Sequence, residues 1–181
     1  MLSVSLSLSH SEVFFPSIFA MTTAEGKFHE AVSIIPSFVS LFDAFIIETI
    51  TYKYAHGNAI LLDVMVPKSV SDGKHSVNLR FHGGYLVNGA KNAPELTPPR
   101  ILQHAIDESV IIVTPDYRLL PESSGVDIFE DIEDVWNWVC TGLDKTVSRM
   151  SDGKAGADIE RVIVSGESAG MYTMSISDED A

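Results

Sequence analysis

Arg161-Val162-Ile163-Val164-Ser165-Gly166-Glu167-Ser168-Ala169-Gly170 is the stretch on which the reading of this chain turns. Its first half, three β-branched apolar residues between Arg161 and Ser165, has the pattern of a buried strand. Its second half fits G-x-S-x-G, in which a serine is held on a sharp turn between a strand and a helix. That turn pushes the hydroxyl out at the carboxyl edge of a sheet. Gly166 and Gly170 give it room, because side chains there would crowd the strand and the helix. A serine hydroxyl is a poor nucleophile until a base takes its proton. Ser168 is therefore the candidate catalytic residue, and the base is what must be sought around it.

A second chemical element lies upstream. Val77–Phe81 reads as a strand, and His82-Gly83-Gly84-Tyr85 follows it directly. Glycines let a backbone approach a ligand closely and aim its N–H groups at it. Acyl transfer needs such donors where negative charge develops on the carbonyl oxygen, and losing one typically costs about 2.7–4 kcal/mol of barrier. Gly83 and Gly84 offer two N–H groups and Ala169, just after the serine, a third. The competing reading of the same glycines is a plain strand-to-loop turn. Val110–Val113, four β-branched residues in a row, reads as a strand buried on both faces, and Asp116-Tyr117-Arg118-Leu119-Leu120-Pro121-Glu122 comes after it.

The remaining periodicities supply the architecture. Residues 46–54 and 59–66 flank His56-Gly57-Asn58 and predict a β-hairpin. Thr97-Pro98-Pro99 predicts a helix start with threonine as cap, and Ile101, Leu102, Ala105 and Ile106 give that helix an apolar face. Asp127–Cys140 predicts a second helix, with Ile128, Ile132, Val135, Trp136 and Val139 inward and acids opposite. Thr141–Ala157 reads as a surface connection, and residues 28–47, broken by Pro36, as one or two short helices. Strands alternating with helices predict an α/β fold: a mostly parallel sheet with an antiparallel N-terminal hairpin and helices on both faces. Residues 1–27 are expected to be a disordered extension, and residues 28–181 a single domain.

Bulk properties narrow the function classes. A formal net charge of −13 and a pI near 4.7 repel phosphate backbones, so nucleic acid is excluded as a partner. One cysteine, Cys140, permits no intramolecular disulfide and fits a reducing, cytoplasmic setting; its place on the helix predicts a buried spectator. Met1–Ala20 lacks a positively charged leader region, which leaves a secretory signal weakly supported. No window is apolar for the about 18 residues a membrane span needs. No cofactor and no metal site are expected.

Three of these segments together resemble the hormone-sensitive-lipase branch of the α/β-hydrolases. That family carries an H-G-G-G loop, a D-Y-R-L-x-P-E segment and a G-[DE]-S-A-G elbow, in the order in which His82-Gly83-Gly84, Asp116–Glu122 and Gly166–Gly170 occur here. The resemblance covers roughly residues 46 to 175. It implies a carboxylesterase- or lipase-type serine hydrolase that cleaves small-molecule carboxylic esters through an acyl-enzyme on Ser168. It implies an oxyanion hole of Gly83, Gly84 and Ala169, supported by His82, Gly166, Glu167 and Gly170, and structural roles for Asp116, Tyr117 and Arg118.

The departures from the family are equally specific. Tyr85 stands where the family usually has a third glycine, and is expected to narrow the acyl pocket; Met171 replaces a glycine common after the elbow. The family's triad acid and histidine follow the serine. Here all six histidines precede Ser168, and the only acids after it are Asp178, Glu179 and Asp180. The expectation is a C-terminally truncated member without its last strands, with negligible turnover of its own. The elbow strand would then be an open edge, a template for self-association. The other two readings are a non-catalytic ligand-binding module and a half-protein completed by a partner chain.

Overall fold

The computed structural model describes residues 40–171. The expected extension at 1–27, most of the helical reading of 28–47 and the acids Asp178–Asp180 lie outside the described residues. Residues 40–42 are helical and Phe45 already opens the first strand, so the helical reading does not reach 47.

Five strands and two α-helices follow in the order β1 (Phe45–Ala55), β2 (Asn58–Pro67), β3 (Gly73–Phe81), α1 (Pro99–Glu108), β4 (Ile111–Pro115), α2 (Gly125–Met150) and β5 (Ala155–Gly166). The predicted hairpin closes through His56 (φ 50°) and Gly57 (φ 82°). Two consecutive left-handed residues are what a two-residue turn between right-twisted strands requires.

The sheet is mixed, in the order β1-β2-β4-β3-β5. β1 with β2 and β2 with β4 are antiparallel, while β4 with β3 and β3 with β5 are parallel. The chain steps from β3 outward to β4, then crosses back over β3 to β5. Parallel crossovers are right-handed, so opposite steps put α1 and α2 on opposite faces. The core divides accordingly. Leu102 and Ala105 of α1 pack with Phe45, Met65 and Ile112. Ile128, Val135, Val139, Leu143 and Val147 of α2 pack with Val64, Val66, Leu79, Ile111 and Val113. The period-two alternation Val64/Met65/Val66 and Ile111/Ile112/Val113 is thus read out on both faces.

The structure corrects several element readings. Thr97 does not cap α1: its hydroxyl donates to the Ala93 carbonyl at 3.1 Å, and the helix starts after Pro98 without a side-chain cap. α2 runs on to Met150, through much of the segment read as a surface connection, because Leu143 and Val147 extend the four-residue spacing of Val135 and Val139. Gly142 does not stop it, since the Trp138 indole fills the space over that glycine. Ser124 starts α2 with a capping box, its peptide N–H donating to Asp127 Oδ2 at 2.7 Å. Cys140 is exposed rather than buried, and Trp136 is 43% exposed, since the packed stripe passes through Val135 and Val139 instead. Asp131 is fully buried on the face read as apolar. β3 and β5 begin earlier than expected, because Gly73–His75 pair with Ala155–Ala157.

Leu143→Ala, in the part of α2 that periodicity undercounted, is expected to cost about 2–5 kcal/mol in urea unfolding. Cys140→Ser should stay within about 0.5 kcal/mol of the parent. Comparable effects of the two would place the end of α2 at the surface.

Candidate active site

β4, β3 and β5 end side by side at Pro115, Phe81 and Gly166, and the candidate residues sit in the segments that leave those ends. Ser168 follows β5 at φ 52°, in the left-handed region, with its side chain exposed at the start of a 3-10 turn, Ser168–Met171. A non-glycine residue held there is strained. The surroundings fix it: Glu167 N–H donates to Phe81 O at 3.3 Å, and Gly170 N–H donates to Glu167 O at 2.9 Å.

The loop after β3 lies directly against this turn. A Cβ on Gly83 would stand 2.6 Å from Glu167 O and 3.4 Å from Ser168 Cβ. A Cβ on Gly170 would stand 2.5 Å from Phe81 O. Both glycines are therefore steric requirements of one contact between the two segments. Gly84 has φ 124° and its open side is filled by the Asn88 backbone and side chain. Ala169 is buried beside Ser168. Tyr85 (φ 59°) and Leu86 (φ 61°) continue the loop in the left-handed region, which accounts for glycine being at home at position 85. The Tyr85 side chain is 81% exposed, out on the rim.

The Asp116–Arg118 segment braces the loop from below. Tyr117 donates its hydroxyl to His82 O at 2.6 Å, and the two rings stack at 4.4 Å. Burial pushes the Tyr117 hydroxyl up to about 12, so it stays a donor. Asp116 Oδ1 accepts from Lys91 N–H at 2.7 Å, and Lys91 Nζ reaches buried Asp63 at 2.8 Å. Arg118 grips Asp131 through Nε at 2.9 Å and Asp127 through Nη1 at 2.7 Å. All three residues hold structure together, as the resemblance implied, and Asp131 on α2 is the missed partner of Arg118. An aspartate in register with Ile128 and Val135 was the only signal for it.

The described histidines are occupied elsewhere. His82 is 1% exposed, its Nδ1 lies 2.8 Å from Gly83 O, and desolvation lowers its pKa below 6.5. His75 is bonded to Ser71 O, His56 forms the hairpin turn and His104 is exposed on α1. Among the described residues, no imidazole is hydrogen-bonded to Ser168.

One further charged pair adjoins the elbow and was not anticipated. Arg80, 1% exposed at the end of β3, places Nη2 2.9 Å from Glu167 Oε2. Among the described residues, no group of acids, histidines or cysteines is arranged to hold a metal ion, and no helix is long and apolar enough to cross a membrane.

A family described as alpha/beta hydrolase fold matches residues 78–173, more than half of the chain. The chain belongs to the α/β-hydrolase fold family. Among its relatives, "Probable carboxylesterase M8" of Phoma sp. is 29% identical over 134 residues, 72% of this chain and 42% of the relative. "Probable carboxylesterase clz11" of Cochliobolus lunatus is 48% identical over 60 residues, 33% of this chain and 27% of the relative. A solved hyperthermophilic esterase from the archaeon Pyrobaculum calidifontis superposes with a TM-score of 0.58 at 25% identity, covering 82% of this chain and 43% of that one. The α/β-hydrolase part seen here thus spans less than half the length of these proteins. It is the part with the elbow, the glycine loop and the first strands of the sheet, and the two curated relatives named here are described as probable carboxylesterases.

Because Gly83 touches the elbow and Tyr85 is strained, the two respond oppositely to substitution. Gly83→Ala is expected to destabilise the chain by more than about 1 kcal/mol. Tyr85→Gly, which relieves a left-handed side chain, should be neutral or stabilising by up to about 1 kcal/mol. Thermal melts of both variants check this, and the reverse ordering would refute the loop geometry.

Proposed function

We propose that this chain carries the nucleophile and the oxyanion-binding elements of a carboxylic ester hydrolase. In this reading the Ser168 oxygen attacks the ester carbonyl carbon as a base removes the hydroxyl proton. The oxyanion that forms accepts hydrogen bonds from the N–H groups of Gly83, Gly84 and Ala169. Collapse breaks the ester C–O bond, the alcohol leaves with a proton, and water then releases the acid from the acyl-serine. The supporting observation is a single close approach: a Cβ added to Gly83 would stand 3.4 Å from Ser168 Cβ, and that serine is exposed at φ 52°. Exposed Tyr85 at the loop's outer end would then limit the substrate on one side. Small or medium acyl esters fit that restriction.

Among the described residues, no imidazole is bonded to Ser168 to accept its proton. His82 is buried and bonded to its own loop, and the other described histidines are bonded to or located at other features. The 181 residues by themselves should therefore turn over esters negligibly. A fluorophosphonate probe, which reacts with activated serines, tests both halves of the proposal. Alone, the chain should label no faster than Ser168→Ala. Mixed with or fused to the histidine-bearing half of a carboxylesterase relative, it should label at Ser168. Rapid labelling of the isolated chain would overturn the missing base, and labelling of the completed protein at another residue would overturn Ser168 as nucleophile.

A further inference from the structure

We infer that the Arg80–Glu167 ion pair is a positioning device for Ser168, holding the elbow against the ends of β3 and β4. The inference rests on the proposed nucleophilic role of Ser168, but its geometry does not. Arg80 is the penultimate residue of β3 and almost wholly buried. A buried guanidinium is costly unless a counter-charge and hydrogen-bond acceptors surround it. Here Nε donates to Glu167 Oε1 at 3.3 Å, Nη1 donates to Thr114 Oγ1 at 3.3 Å and Nη2 donates to Leu96 O. One side chain therefore binds the elbow, the end of β4 and the short turn ahead of α1. Each of these segments borders the oxyanion loop.

Glu167 is suited to receive it. Its peptide group is already pinned, N–H to Phe81 O and carbonyl to Gly170 N–H. The guanidinium adds a hold on the side chain, so the residue before Ser168 is fixed at both ends. Glu167 Oε2 lies 2.9 Å from Arg80 Nη2 yet makes no aligned hydrogen bond, so its attraction to the guanidinium is ionic. Without that pair the left-handed Ser168 would lose a principal restraint. Glutamate rather than a shorter acid fits a partner that leaves β3, a strand away.

The pair is not an acid-release switch. Burial raises the Glu167 pKa above the ordinary 4.5, against the opposing pull of Arg80 and of Arg100 on α1. Tyr117, after β4, feels the carboxylate but stays neutral, and His82 feels the Arg80 charge. A carboxyl that binds its proton more tightly in the closed elbow than in solvent does not loosen that elbow as pH falls, so the hold on Ser168 rests on the geometry of the pair and not on its titration.

Hydrogen-exchange mass spectrometry on the full chain tests this without requiring hydrolysis, so its outcome is independent of the ester-hydrolase reading. At neutral pH, Glu167→Ala, which leaves buried Arg80 without its counter-charge, should speed exchange about tenfold in the peptide covering residues 163–171, with α1 and β1 unchanged. After correction for intrinsic rates, the parent should not lose elbow protection as pH falls. Glu167→Asp should recover part of the protection. Elbow protection in Glu167→Ala equal to the parent would overturn the proposal. So would loss of protection spread evenly over the whole sheet, which would make the pair a general stabiliser.

Discussion

Two backbones meet at the carboxyl end of the sheet with no room for a side chain between them. A Cβ on Gly83 would collide with the Glu167 carbonyl, and one on Gly170 with the Phe81 carbonyl. β3 and β5 are parallel neighbours, so the segments leaving them emerge on the same edge and must pass each other. Glycine at both positions turns that crowding into contact. The strained serine, the loop of amide donors and the bracing tyrosine all take their places from this approach. Phe81 O, which accepts from Glu167 N–H, shows how close the two chains run.

Buried charge secures the same region in a chain with net charge −13. Arg80 with Glu167, Lys91 with Asp63, and Lys53 and Arg118 with Asp131 each sink a cation onto an acid beneath the candidate site. Breaking one such pair strands a charge, which is far more costly than losing an exposed ion pair. The exposed Arg149–Glu48 bridge at the far end of α2 is of the second kind. The excess of acids is thus a surface property, while the basic residues that matter most here lie inside.

The strands, the elbow and the glycine loop were legible because each depends on local chemistry. β-branched runs favour strands, and glycine is demanded wherever a backbone must pass at van der Waals distance. Non-local features were not legible. Thr141–Ala157 reads as a surface connection, but Leu143 and Val147 find a sheet to pack on and carry the helix to Met150. Thr97 reads as a cap, but its hydroxyl is drawn back to Ala93 by the preceding turn. Asp131 and Arg80 look misplaced in apolar stretches until Arg118, Lys53 and Glu167 arrive from distant positions to neutralise them. Cys140 sits one helical position beyond buried Val139, and that single step decides between core and solvent.

The central claim is that Ser168 and the amides of Gly83, Gly84 and Ala169 face a common oxyanion position. A boronic acid forms an anionic tetrahedral adduct on a serine oxygen once a base accepts the hydroxyl proton, so it probes this arrangement in the chain completed by the histidine-bearing half of a carboxylesterase relative. Titrating that completed protein with butylboronic acid, while following the amide NMR spectrum of this chain within it, is the most direct measurement. The three amides should shift together, saturating at one midpoint, and the response should vanish in Ser168→Ala. Shifts confined to other residues, or an undiminished response without the Ser168 hydroxyl, would contradict a shared site.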